Sequence, residues 1–181
     1  NTDKIERIGF DYFLENKDKG KTIDMLFYEQ YNIDYLKRFE LTYWKRDLIR
    51  EKNLYKNLVK NENYVFVHDD PSRGFVIPNN DISKEFQIIR NSNSNSIFDY
   101  GEIIENSKEI HVMESSARCM LEYLNTQKSK HFLYDFVGGP WKSIPYYDKN
   151  NKIVGSSKNW IIKKINFGSK ESFFRKYFKF W

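Results

Sequence analysis

Cysteine is nearly absent. The 181 residues include one, Cys119, so no internal disulfide can form and no zinc site can be built on paired thiolates. Histidine is scarce as well: His68, His111 and His131 are scattered, with no His-x-x-x-His pair among them. Such usage fits a reducing compartment. No apolar run approaches the roughly 20 residues that a membrane span requires, and the polar start NTDKIER lacks the apolar core of a signal peptide. The chain therefore reads as soluble and cytoplasmic. Because the first residue is not Met, a processed product and a piece of something longer both remain open. Glycine-rich phosphate loops are missing too: neither GxGxxG nor GxxxxGK followed by Ser or Thr occurs.

Aromatic residues, by contrast, are plentiful. With 4 Trp, 13 Tyr and 15 Phe, each able to remove roughly 150–250 Å² from water, the chain can build a core despite a mean hydropathy of -0.75. The length suits one domain or one and a half small ones. The net charge of +5 is uneven. Residues 151–181 hold eight Lys/Arg against Glu171, a balance of +7, which leaves −2 for residues 1–150. An electrostatic partner should therefore be sought at the C-terminal tail.

Apolar residues from Thr22 to about Lys60 fall at helical spacings, including Leu26, Phe27, Leu36, Phe39, Leu54 and Leu58. They predict two or three helices, interrupted around Tyr31–Asp34. Tyr64–Val67 reads as a strand running into the polar loop His68–Gly74, and Phe75–Ile77 as a second short strand closed by Pro78. The polar run Asn91–Ser96 is a loop, and Ile97 to Ile104 a loop and short helix stopping near Asn106. Glu109–Met113 predicts a buried strand, with a helix from Glu114–Ser116 through Leu124. Phe132–Tyr134 and Trp160–Ile162 predict further strands, Gly138–Pro140 a break, and Lys170–Trp181 a closing helix. Short apolar strands alternating with helices specify an α/β, Rossmann-like three-layer domain with a mainly parallel sheet. Residues 1–60 are expected to form a helical segment packing on a Rossmann-like domain over 61–181.

Two loops carry the candidate chemistry. Glu114, Ser115 and Ser116 follow a strand and open a helix, where free backbone N–H groups attract phosphate and small hydroxyl residues let an anion approach. The plainer use of either serine is as a helix N-cap. In the loop after the first strand, His68 can act as acid or base, Asp69 and Asp70 can accept hydrogen bonds, and Arg73 can hold a diphosphate bidentately. There the plainer reading is an Asx-type turn ahead of Pro71 with Arg73 solvated. Two adjacent carboxylates diverge and make a weak metal signal, so no metal is assigned.

Asp24, Glu29, Arg38, Arg46 and Asp47 read as a solvated face or surface pairs, Cys119 as a buried thiol, and His111 as structural. In the tail, Phe173, Phe174, Tyr177, Phe178 and Trp181 form one aromatic stripe if helical, with Arg175, Lys176 and Lys179 mostly off it. A docked helix, contact with a partner domain and attachment to an anionic membrane surface all suit this composition. Nucleic-acid stacking suits it less, because the core needs the aromatics.

Two segments taken together carry a resemblance. Tyr64–Gly74, followed some 35 residues later by Ile103–Ser116, resembles the donor-binding, C-terminal half of GT-B type glycosyltransferases. In that family a helix carrying a pair like Glu105-Asn106 precedes a strand, and the loop opening the next helix meets the nucleotide-sugar. Phe27–Tyr31 and Arg46-Asp47 look like the helical approach to that half. The resemblance covers residues 22–125. It implies a nucleotide-sugar as donor substrate, with no other cofactor. Ser115 and Ser116 would meet donor phosphates, Glu114 ribose or sugar hydroxyls, and Arg73 the departing diphosphate, with His68 as base. It also implies an N-terminal acceptor domain or partner chain. The competing expectation is a non-catalytic interaction module docking a partner or an anionic membrane through residues 169–181. A third is a phosphate-ester enzyme using Asp69 or Asp70 with a divalent ion.

Overall fold

The computed structural model describes residues 23–135 and 156–164, together with Tyr12, Glu15, Asn16 and Lys21. The expected break at Gly138–Pro140, the closing helix over Lys170–Trp181 and the tail 169–181 lie outside the described residues.

The helical block is α1 (Ile23–Gln30), α2 (Lys37–Leu41) and α3 (Leu48–Leu58). The interruption expected around Tyr31–Asp34 is a reversal at Asn32, whose φ of 53° lies in the left-handed region that Asn tolerates better than most residues. Asp47 caps α3 by accepting from the Arg50 N–H at 3.1 Å. The sheet strands are β1 (Tyr64–His68), β2 (Gln87–Arg90), β3 (Glu109–Met113), β4 (Lys130–Asp135) and β5 (Trp160–Lys164). Between β2 and β3 lies α4 (Gly101–Asn106), and after β3 comes α5 (Ser116–Leu121). Among the described residues the five strands form one sheet in the order β2-β1-β3-β4-β5, every neighbouring pair parallel. The α/β class and the parallel sheet are therefore as the sequence predicts. This is the doubly wound order in which the chain leaves β1 first to one side and then to the other.

Both faces of the sheet are covered, which is why β1 and β3 read as nearly continuous apolar runs rather than as alternating ones. One face packs Tyr64, Phe66, Ile110, Val112 and Leu133 against Leu54 of α3, Ile103 and Ile104 of α4, and Leu121 of α5. The opposite face packs Val65, Val67, Met113 and Tyr134 against Phe75, Ile77 and Ile82, all three from the irregular crossover between β1 and β2. Among the described residues, none of the helices is long and apolar enough to cross a membrane.

Phe75–Ile77 does not form the strand expected of it. Phe75 makes one antiparallel bridge to Asp70, and the Ile77 N–H donates to the Asp69 carboxylate at 3.0 Å instead of to a ladder. Its alternation is real, with Phe75 and Ile77 buried and Val76 exposed, but the segment lies over the sheet face. The strand beside β1 is Gln87–Arg90, where only two apolar residues stand between polar ones. Gln87 adds its own tie, accepting from the Lys60 and Asn61 N–H groups and donating to the Leu58 carbonyl at the end of α3.

Charges in the helical block are less solvated than their composition suggests. Arg46 donates to both oxygens of Glu51, which is fully buried, and to Glu105 Oε1 at 2.9 Å. α4 comes close to this pair: a Cβ at Gly101 would stand 2.4 Å from Glu51 Oε2, so a larger residue there would displace the pair. Arg38 donates to Asp24 at 2.6 Å and to the Tyr123 hydroxyl at 3.3 Å, and lies over the rings of Tyr35 and Phe39. These contacts fasten α1 and α2 beside α5.

Candidate ligand cleft

In doubly wound sheets, ligands bind outside the carboxyl ends of the strands where the crossovers diverge. Here that point lies between β1 and β3, whose last residues run side by side with His68 opposite Val112. Beyond them opens a cleft of about 790 Å³, lined by His68 to Ser72 after β1, Asn91 to Asn93 after β2, and Glu114 to Ser116 after β3. The two loops singled out in the sequence therefore share one cavity.

Ser115 occupies the N-cap position of α5 with an extended backbone, but its side chain does not cap the helix. Its hydroxyl donates to the Met113 carbonyl at 3.1 Å and lies 3.5 Å from His68 Nδ1, joining the ends of β3 and β1. Ser116, the first helical residue, is exposed at the mouth. Burial holds the His68 imidazole below its usual pKa, against the opposite pull of Asp69 and Asp70. The ring is thus biased toward its neutral, proton-accepting form.

Glu114 pairs with Arg118 one turn along α5, with Arg118 Nε 2.9 Å from Oε1 and 2.8 Å from Oε2. The aligned hydrogen bond goes to Oε1, and Oε2 is buried without a donor. Burial raises the Glu114 pKa, outweighing the Arg118 guanidinium. Arg118 also reaches Glu122 at 3.4 Å, and Glu122 accepts from Ser156 and Ser157. One polar chain, buried at Arg118 and Glu122, therefore runs from the cleft to the approach of β5.

The two aspartates have separate uses. Asp69 lines the cleft, yet its Oδ2 accepts from Ile77 N–H and from Arg90, while its own N–H donates to Asn91 Oδ1. Asp70 closes the bridge with Phe75 around Pro71–Gly74, its carboxylate accepting from the Ser72 hydroxyl. Gly74, at φ 77°, makes that reversal. Arg73 sits in the same turn by its backbone, while its side chain lies outside the described residues. Among the described residues no group of three or more His, Cys, Asp or Glu could hold a metal ion.

Asn91, Ser92 and Asn93 are cleft residues that the sequence reading passed over as a polar loop. Their signal was the strand before them: once Gln87–Arg90 is recognised as β2, Asn91 stands at its carboxyl end. His111 is packed under the sheet, stacked on Phe132 and bonded to Tyr134 and Glu109, as its mid-strand position suggested. Glu105, half of the Glu105-Asn106 pair, accepts from Arg46 and from the Asn125 N–H, away from the cleft lining. No protein-family model, curated protein or solved structure matches the chain.

Proposed function

We propose that the cleft binds a nucleotide-diphosphate sugar, and that the chain supplies the donor side of a glycosyl transfer to an acceptor hydroxyl. The observation that carries the reading is the convergence of three strand ends, rich in hydroxyl and amide groups, on one cavity at the point where the crossovers diverge. Ser72, Ser92, Ser115 and Ser116, with Asn91 and Asn93, provide short donors and acceptors suited to phosphate oxygens and sugar hydroxyls. The first N–H groups of α5 add donors that a helix leaves unpaired. Glu114 Oε2, buried and lacking a donor, is an acceptor for a ribose or sugar hydroxyl.

Charge assigns the remaining roles. The described lining includes Asp69, Asp70 and Glu114 but neither Lys nor Arg. Arg90 and Arg118 lie close by, committed to Asp69 and Glu114. In this proposal the cation that balances a diphosphate is Arg73, next in the chain after Ser72. Negative charge grows on the leaving phosphate as the glycosidic bond breaks, and a positioned guanidinium stabilises it. In the same scheme His68, held toward its neutral form, takes the proton of the attacking hydroxyl.

Thermal shift with nucleoside diphosphates, their sugars and the bare nucleosides tests this directly. Ligand at 100 times its Kd should add about 2.7 kcal/mol to stability. Ser116→Arg should abolish the shift, whereas Arg73→Ala should weaken diphosphates while sparing nucleosides. If no ligand shifts the parent chain, the donor reading is wrong.

A further inference from the structure

The polar chain along α5 is satisfied at one end and open at the other. Glu114, Arg118 and Glu122 lie four residues apart, the first just ahead of α5 and the last at its C-cap, so that one guanidinium faces both carboxylates. At the far end Glu122, 7% exposed, has partners on both oxygens: Ser156 Oγ and Arg118 on Oε1, the Ser157 N–H at 2.8 Å and the Ser157 hydroxyl at 2.9 Å on Oε2. At the cleft end Glu114 Oε1 takes the aligned bond from Arg118, and Oε2 is buried without a donor. We propose that Arg118 is a positioning residue that holds Glu114 ready to accept a ligand hydroxyl at Oε2, and that Glu122, braced by Ser156 and Ser157, sets where Arg118 lies. This inference rests on the donor reading and deepens it.

Distances assign the guanidinium to Glu114. Arg118 Nε lies 2.9 and 2.8 Å from the two Glu114 oxygens, whereas Arg118 Nη1 stands 3.4 Å from Glu122. Two buried carboxylates facing one cation would otherwise compete for it, because a carboxylate taken out of water needs compensation. The donors from Ser156 and Ser157 supply that compensation at Glu122 and leave the cation to Glu114. Glu114 needs it: burial, with Asp24 and Glu122, draws the carboxyl toward its neutral form, and Arg118 opposes them. Protonation would turn an acceptor into a donor and close the site to a hydroxyl proton. The brace is itself fixed, since Ser156 Oγ accepts from the Lys158 N–H at 3.1 Å and from Trp160 Nε1 at 2.9 Å, at the first residue of β5. A network serving packing alone would satisfy both of its ends, and this one stops short only where it meets the cleft.

Carbon-13 titration of the Glu114 carboxyl in the full chain reads the positioning without a ligand. Glu122→Gln should lower the Glu114 pKa, because Arg118 loses its second carboxylate. Ser156→Ala/Ser157→Ala should raise it, because Glu122 then draws on Arg118. Both variants keep the guanidinium, so neither requires the fold to survive loss of a buried cation. Arg118→Gln should raise the pKa further, and Arg118→Lys should restore part of the change. Calorimetry with uridine, guanosine, adenosine and thymidine diphosphate sugars reads the consequence. For whichever of them binds the parent, Glu114→Gln and Ser156→Ala/Ser157→Ala should each weaken binding about tenfold, and combining them should add little, because both act on one oxygen. A Glu114 pKa that neither Glu122→Gln nor the serine pair moves, or binding that the serine pair leaves intact, overturns the positioning role while the donor reading stands. If the parent binds none of these sugars, the donor reading falls and the positioning role falls with it.

Discussion

His131 illustrates how one buried side chain sets a pH dependence. Its Nε2 lies 2.8 Å from Thr126 Oγ1 and its ring stands edge-on to Trp160. Burial, helped by Lys158, lowers its pKa to about 4. An unfolded histidine titrates near 6.5. Between pH 6.5 and about 4 the unfolded chain thus binds a proton that the native chain refuses, and stability falls as pH falls through that window. The loss reaches about 3 kcal/mol once the pH is below both values. His68 and His111 are also lowered by burial and tilt the profile the same way. Urea midpoints at pH 7 and pH 4.5 should therefore diverge less in His131→Gln than in the parent. Parallel profiles would assign the acid sensitivity to other groups.

At the scale of the element, the crossover between β1 and β2 depends on one ion pair. Asp69 is 3% exposed and takes Arg90 of β2 and the Ile77 N–H on the same oxygen. Arg90 goes on to the Ile77 carbonyl and Asn79 Oδ1. Removing the guanidinium leaves a buried carboxylate uncompensated, so Arg90→Ala should cost about 3–5 kcal/mol in urea unfolding. Adding Asp69→Asn should recover part of it, an outcome that loss of Arg90 packing alone would not produce.

The same elements show what could be read in advance. β1 and β3 were legible because a strand buried on both faces must be apolar along its length, and β4 and β5 through the short apolar runs Phe132–Tyr134 and Trp160–Ile162 at their centres. β2 was not: its two apolar residues, Ile88 and Ile89, pack on the two cores but stand between Gln87 and Arg90, whose polarity imitates a loop, and the nearby Phe75–Ile77 has the better strand composition. That error hid Asn91–Asn93, since a cleft residue is recognised by the strand end it follows. His68, Glu114, Ser115 and Ser116 were legible because their strands were. The burial of Arg46 with Glu51 was invisible, because a charge in a helix gives no sign of which face it occupies.

For the molecule as a whole, the described residues cover the two sheet faces unequally. α3, α4 and α5 hold one of them. The other rests under residues 69–86, an exposed irregular path whose buried anchors are Phe75, Ile77 and Ile82. Regions with few buried contacts open at lower free energy than the core. Brief proteolysis of the folded chain should therefore cut residues 71–86 before any site in β1 or β3, and a first cut within those strands would contradict this inequality. The crossover is also a wall of the cleft, through Asp69 to Ser72. Whatever fills the cleft must find the crossover closed, and each increment of binding energy makes it harder to open. Occupancy would then be recorded as a longer lifetime against protease, and weakening of the Asp69–Arg90 pin would raise the apparent dissociation constant without touching a single ligand contact.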